Sequence, residues 1–489
     1  MKSEILDRLR PHQRDPAEHL SSVLRRYRSG LDISKTGTGK TYVASAVAAE
    51  LQVPFLVVCP KIAVTQWERA AEHFGEKFSV LGWEMLRTGR TPYGKWERGN
   101  PPPGAERRFF KCTKCQCLVD PDPREFRPCF AHHLGIHCLE TKVRPHSYGK
   151  FIFHPAVKGV VFDEIHRARR DSLNSDMVIA AKSQALYSLG LSATPAQSPL
   201  DMRAIGYMLD LHRLGDFERW ACSYGCRRIP RCGIKWLLSK QDQLTTMANI
   251  RASIIPDRGI FLDTKDIPGF PKCDIRAELF DLPEAETEGI NRIYREMAEA
   301  LEELDRKKKY DVSPELPLTA ILRERQKIEL LKVPMAAELG ADKIDQGFSV
   351  VWFVNFRQTI EELKKRFPDA GIIDGDGIKN RQQVVDKFQC NQTNKLIVNN
   401  ECGGVALSVQ DLDGFHPRCG LVFPPQSATS MKQIFGRLPR DGGKSPASYV
   451  VMFAARTLDA KAHRVLAQNL NNLDALTDGD LDPRNLMTQ

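Results

Sequence analysis

Apolar and polar positions along this chain switch repeatedly between two periods. Short apolar runs form the first kind: PFLVVC at Pro54–Cys59, VKGVVF at Val157–Phe162, and the segment Ala185–Leu191. Each is too short for a long helix and reads as a buried strand. Segments of helical period lie around them, Tyr42–Leu51 and Ala63–Phe74 among them. Strands alternating with helices predict a parallel sheet with helices on its faces. Over residues 210–275 the pattern changes to one rich in Arg, Cys and Pro. Two long helices are then predicted, Leu282–Lys309 and Ile321–Leu339. Alternation resumes at Ser349–Val354, Gly371–Ile373, Lys395–Val398 and Gly420–Phe423. The expectation is an α/β chain of two domains, 1–270 and 275–489, joined near 265–280. The tail from about Asn469 is polar.

Composition narrows this picture. A chain of 489 residues is long enough for two or three cores. No apolar run reaches the length that spans a bilayer, and the charged start MKSEILDRLRPHQ is not a secretory leader. Lys and Arg total 71 against 61 acids, a net charge of +10. A basic excess fits a polyanionic partner. The 13 cysteines are unevenly placed, and five fall between Cys112 and Cys138. That distribution fits a metal site in a reducing, cytoplasmic setting better than a disulfide scaffold.

The candidate chemistry begins at SKTGTGKT, Ser34–Thr41, which opens a helix. Glycines at such a turn let backbone N–H groups close around phosphates. Thr36, Gly37, Thr38 and Gly39 form that cradle. Lys40 is placed to meet the β and γ phosphates, and the Thr41 hydroxyl to hold Mg²⁺. Ser34 stands where the full phosphate-loop pattern has glycine. Downstream, Val160–His166 (VVFDEIH) is an apolar strand ending in two acids. Asp163 is read as the second Mg²⁺ ligand and Glu164 as the group that orients or deprotonates water.

DEIH at 163–166 followed by LSATP at 191–195 resembles superfamily-two helicases, motors with two RecA-like domains and ATP in the cleft between them. Further blocks fall in that family's order. Leu9–Gln13 resembles its adenine-reading segment, with Gln13 on the base. Val57–Lys61 with Gln66 and Trp67 resembles the first nucleic-acid block, carrying Pro60, Lys61 and Gln66. Ser192 and Thr194 correspond to the motif that links ATP to nucleic acid. Asn355, Asn399 and Gly404 lie in blocks resembling those of the second domain. QIFGRLPR at 433–440 resembles the arginine-finger motif, with Arg437 and Arg440 as the fingers. Gln66-Trp67, Asp266–Pro271 and Gly403–Leu407 are most similar to the Swi/Snf-type branch. Ala406, Cys402 and Pro439 depart from it: that branch has Gly, Ala and His there. The compact size is similar to that of phage-borne helicases.

An insertion at 95–150 carries Cys112, Cys115, Cys129, His132 and Cys138. The spacing C-x2-C-x13-C-x2-H suits tetrahedral Zn²⁺, with Cys138 an alternative ligand. The module is too short for a large core, so a metal would supply its folding energy. Cys222, Cys226 and Cys232 form a second cluster of poorer spacing. The resemblance implies a nucleic-acid-dependent ATPase using ATP and Mg²⁺, monomeric and nucleoid-associated. It would act as a DNA helicase or translocase on branched or replicating DNA beside replication or repair proteins. An RNA helicase and a DNA-binding clamp within a larger complex are the alternatives.

Overall fold

Short apolar runs bounded by turns collapse here into two separate parallel sheets. The computed structural model describes residues 1–98, 109–112, 118–119, 138–141, 149–169, 171–229, 233–308, 315–374, 381–400, 407–425 and 427–469. The first sheet has six strands in the order 259–260, 29–32, 187–191, 159–163, 55–59, 79–82, all parallel. The second also has six parallel strands, ordered 273–280, 447–454, 418–422, 349–354, 395–399, 371–373. Helices cover both, as the near-continuous apolar strands require. Val160, Val161 and Phe162 are fully buried, as are all of Val350–Val354. The molecule is therefore an α/β protein with two tandem RecA-like layers. The chain passes between the sheets from Ile260 to Cys273 through a short turn at Thr264–Asp266. Among the described residues, no helix is long and apolar enough to cross a membrane.

Register explains why the first-half motifs meet. Asp32 pairs with Leu191, and Leu191 with Asp163. The Ser34–Thr41 loop, the Asp-Glu turn and the Ser-Ala-Thr turn thus leave the carboxyl ends of three adjacent strands on one level. Crevices at strand carboxyl ends are where open α/β sheets bind ligands.

The predicted helix Ile321–Leu339 is instead two helices, Glu315–Leu331 and Val333–Asp345. Pro334 is the reason: without an N–H it fits a first helical turn but not an interior. The break is also held from the side. Lys332, between the two helices, donates to Asp459 at 2.7 Å, and Tyr294 donates to the same carboxylate at 2.6 Å. Lys332 and Asp459 are both buried, so each needs the other's charge. The strand predicted from Ala185 begins at Tyr187, and the one predicted at Val157–Phe162 runs Gly159–Asp163.

Candidate active site

Gly37 (φ +88°) and Gly39 (φ +91°) give the Ser34–Thr41 loop its left-handed turns, which a side chain would strain. Gly39 has a second constraint. A Cβ there would lie 2.0 Å from Gln13 Nε2. Ser34, at the position where glycine is usual, is buried, and its Oγ accepts from Leu262 N–H at 3.0 Å. Its own N–H donates to Asp32 Oδ1 at 2.8 Å. Serine therefore ties the loop to the segment that follows the edge strand Gly259–Ile260.

Lys40 Nζ donates to the loop carbonyls of Ser34 (2.7 Å) and Lys35 (3.0 Å). Burial pushes the Lys40 ammonium down, while Asp32, Glu164 and Asp163 pull it back up. Those acids are therefore close enough to feel its charge. Thr41 Oγ1 accepts from Gln66 Nε2 at 3.4 Å. Gln66, expected to meet nucleic acid, is thus placed on the phosphate loop.

Burial and the neighbouring Glu164 raise the Asp163 carboxyl to about 6. Trp67 Nε1 donates to Asp163 Oδ2 at 2.9 Å, and Trp83 Nε1 donates to its backbone carbonyl at 2.8 Å. Two buried indoles therefore fix this acid, and Trp67 is both core and orienter. Glu164 is held in a left-handed conformation, φ +53°. Burial alone would raise its carboxyl. The His166 hydrogen bond and the charges of His166, Lys40 and Arg437 outweigh burial and bring it below the usual range. His166 Nδ1 lies 3.2 Å from Glu164 Oε2 and 3.0 Å from Ser192 Oγ. Ser192 Oγ also accepts from Thr194 N–H at 3.1 Å. One imidazole thereby connects the acid to the Ser-Ala-Thr turn. Arg169 donates to the carbonyls of Thr194 and Pro195 and holds that turn from behind.

The second sheet supplies the opposite wall. Arg437 follows helix Ala428–Phe435 and is buried, with Nη1 3.5 Å from Leu407 O. Burial lowers it, while Glu164 and Asp163 raise it. Arg440 is pushed down to about 9 by burial and by Arg437. Its Nε is buried with no hydrogen-bond partner. A buried guanidinium N–H without an acceptor is costly, and a phosphate oxygen would satisfy it.

The two walls touch. A Cβ on Gly436 would lie 1.9 Å from Thr36 Oγ1, so only glycine allows this approach. Gln197 Nε2 donates to Thr429 Oγ1 at 2.9 Å across the cleft. Beside these contacts lies a cavity of about 670 Å³, lined by Thr36, Glu164 and Thr194 from one sheet and by Gln433, Gly436 and Pro439 from the other.

Other expected residues are placed as follows. Gln13 Nε2 donates to Thr38 O at 3.3 Å, and its Oε1 accepts from Arg10 N–H at 3.2 Å. The amide thus joins the N-terminal segment to the phosphate loop. Pro60 and Lys61 follow strand Phe55–Cys59 at its carboxyl end. Asn355 is turned inward: its Nδ2 donates to Glu329 Oε2 at 2.7 Å, and its Oδ1 accepts from Asn400. Asn399 Nδ2 donates to Asn355 O at 3.3 Å. Gly404 lies outside the described residues, as do Cys115, Cys129 and His132. Cys112 and Cys138 are opposite partners in an antiparallel pair of short strands. His166, Trp83 and Asp32 were not anticipated. The spelling DEIH gave the signal for His166, but nothing in the sequence marked the other two.

Trp67→Phe keeps the packing and removes the hydrogen bond to Asp163. A hydrogen bond to a charged group contributes about 1.5–3 kcal/mol, so the apparent Mg²⁺ affinity is expected to fall about tenfold. Mg²⁺ titration of turnover measures this, and an unchanged midpoint would remove Trp67 as orienter.

No protein-family model matches this chain. It is similar to a protein of Acanthamoeba polyphaga mimivirus named "Putative ATP-dependent RNA helicase", with 28% identity over 99% of this chain and 86% of that protein. Among solved structures it aligns with the Hef helicase domain of Pyrococcus furiosus at 14% identity, covering 92% of this chain and 97% of that one, with a TM-score of 0.41.

Proposed function

We propose that this chain is a nucleic-acid-dependent ATPase of the superfamily-two type, working as a DNA helicase or translocase. One observation carries the reading. A cavity between the two sheets is lined by Thr36, Glu164 and Thr194 from one and by Gln433, Gly436 and Pro439 from the other, with Lys40, Asp163 and Glu164 on the first side and Arg437 and Arg440 on the second within range of one another's charge. Such a set fits phosphoryl transfer, where positioning and charge stabilisation supply most of the catalysis.

The residues fit their implied ligands. The Thr41 hydroxyl and the Asp163 carboxylate would hold Mg²⁺, which neutralises charge on the phosphates. Lys40 exchanges its two loop carbonyls for phosphate oxygens. Glu164, kept ionised by His166, orients the attacking water. Arg440 donates its unpartnered N–H to the γ-phosphate from across the cleft. His166 bonds both Glu164 and Ser192, so a shift of the Ser-Ala-Thr turn moves the water-orienting acid. That contact is a physical route from nucleic acid to hydrolysis.

Steady-state turnover measured without nucleic acid and with single strand, duplex, fork and RNA tests the reading. Stimulation by forked or duplex DNA is expected. Equal rates in all five conditions would sink the motor reading and favour a passive clamp. Stimulation by RNA alone would favour the second reading, an RNA helicase, which the name of the mimivirus relative supports.

We also propose a zinc site in the insertion, using four of Cys112, Cys115, Cys129, His132 and Cys138. The pairing of the Cys112 and Cys138 backbones supports Cys138 as a member of the set. Purified protein is expected to hold one equivalent of zinc and Cys112→Ser to lose it. Equal metal content by elemental analysis would reject Cys112 as a ligand.

A further inference from the structure

The residues after the two arginines make contacts that hydrolysis does not use. Asp441 directly follows Arg440, and its side chain is 16% exposed. Its N–H donates to Gly37 O of the phosphate loop at 3.3 Å. Its carboxylate faces the N-terminal segment of the first domain. Oδ1 lies 2.7 Å from Arg10 Nη1, and Oδ2 lies 3.4 Å from His12 Nε2. Next along the chain, Gly442 adopts φ +86°, and a Cβ there would come within 2.7 Å of Arg10 Nη2. The chain thus leaves room for the guanidinium at the one position where a side chain would displace it.

The contacts continue inward. Arg10 N–H donates to Gln13 Oε1, and Gln13 Nε2 donates to Thr38 O. One aspartate of the second domain therefore bears on the phosphate loop twice. It does so directly through its backbone and indirectly through Arg10 and Gln13.

We propose that Asp441 is a positioning residue that latches the second domain onto the base-side segment and the phosphate loop. The segment carrying Gln13 then reaches its binding geometry only when the cleft is closed. The inference rests on the ATPase reading for its ligand, but the latch itself is made of protein groups alone. An isolated surface ion pair would contribute almost nothing. Arg10 itself is 53% exposed, but the carboxylate is only 16% exposed, lies between Arg10 and His12, and is anchored by its own main chain. Its removal shifts the domains toward an open arrangement, and closure on ATP then has to restore what the latch supplied.

The test uses the full chain and two readouts. Small-angle scattering without nucleotide should give a larger radius of gyration for Asp441→Asn than for wild type. Its KM for ATP should rise about tenfold, a typical coupling magnitude, with a much smaller change in kcat. Asp441→Arg should behave likewise, and Arg10→Glu combined with Asp441→Arg should bring KM most of the way back. A purely structural role would not be rescued by reversing the charges. Wild-type dimensions together with a wild-type KM in Asp441→Asn would overturn the latch, as would failure of the reversed pair to improve on Asp441→Arg alone. If the wild-type chain shows no turnover at all, the ATPase reading fails, and the scattering comparison decides the latch by itself.

Discussion

Lys40→Ala is expected to lower kcat by about two to three orders of magnitude, the usual cost of removing one donor aimed at transferring charge. Of the two cations in the Ser34–Thr41 loop, Lys35 pairs with Asp263 at 2.8 Å, whereas the Lys40 ammonium turns into the loop itself. It donates to the carbonyls of Ser34 and Lys35. Those two dipoles point into the site, so their lysine must leave them when phosphate arrives. Alanine leaves both carbonyls facing a polyanion with nothing between. The same substitution removes two hydrogen bonds and the counter-charge of Asp32, Asp163 and Glu164, against the relief of no longer burying an ammonium. Expected together are a modest drop in melting temperature, nucleic-acid affinity within about threefold in a motor whose strand contacts lie elsewhere, and near-complete loss of phosphate release. A loss of turnover below tenfold would remove Lys40 from the assignment.

Much of this site was legible because its chemistry is local in sequence. A glycine-bounded lysine before a helix and two acids at the end of an apolar strand announce themselves without a structure. Strand periodicity then gave the α/β class, because parallel strands buried on both faces cannot hide their composition. What escaped the sequence depends on pairs distant along the chain. Trp67 and Trp83 are core residues. Nothing local indicates that both indole N–H groups converge on Asp163. Ser34 reads as a departure from the phosphate-loop pattern, yet its hydroxyl answers a backbone N–H at Leu262. Asn355 shows a second kind of long-range pairing. A polar residue at a strand end resembles a contact for a ligand, but here its amide satisfies Glu329 and Asn400 inside the domain. Pro334 was visible all along, and its effect on the predicted helix followed from elementary geometry.

Arg440→Ala should reduce kcat by about a thousandfold, the lower range for an arginine finger, while KM for ATP changes far less. The two arginines of this motif are not equivalent. Arg437 is engaged: it lies beside Leu407 O, and its charge helps to keep Glu164 ionised. Its replacement therefore disturbs the acid as well as the phosphate wall and should cost stability too. Arg440 carries a guanidinium that burial and the adjacent charge of Arg437 both disfavour, bringing it down to about 9. That combination opposes folding. It becomes favourable when charge accumulates on the transferring phosphoryl group, and interactions that strengthen only then raise kcat rather than affinity. Arg440→Lys should not rescue the rate, because an ammonium lacks the planar fork of donors that spans two oxygens. Single-turnover hydrolysis with saturating ATP and nucleic acid separates chemistry from binding. A variant that lost affinity but kept its chemical step would assign Arg440 to nucleotide binding and leave the transition state to Arg437 alone.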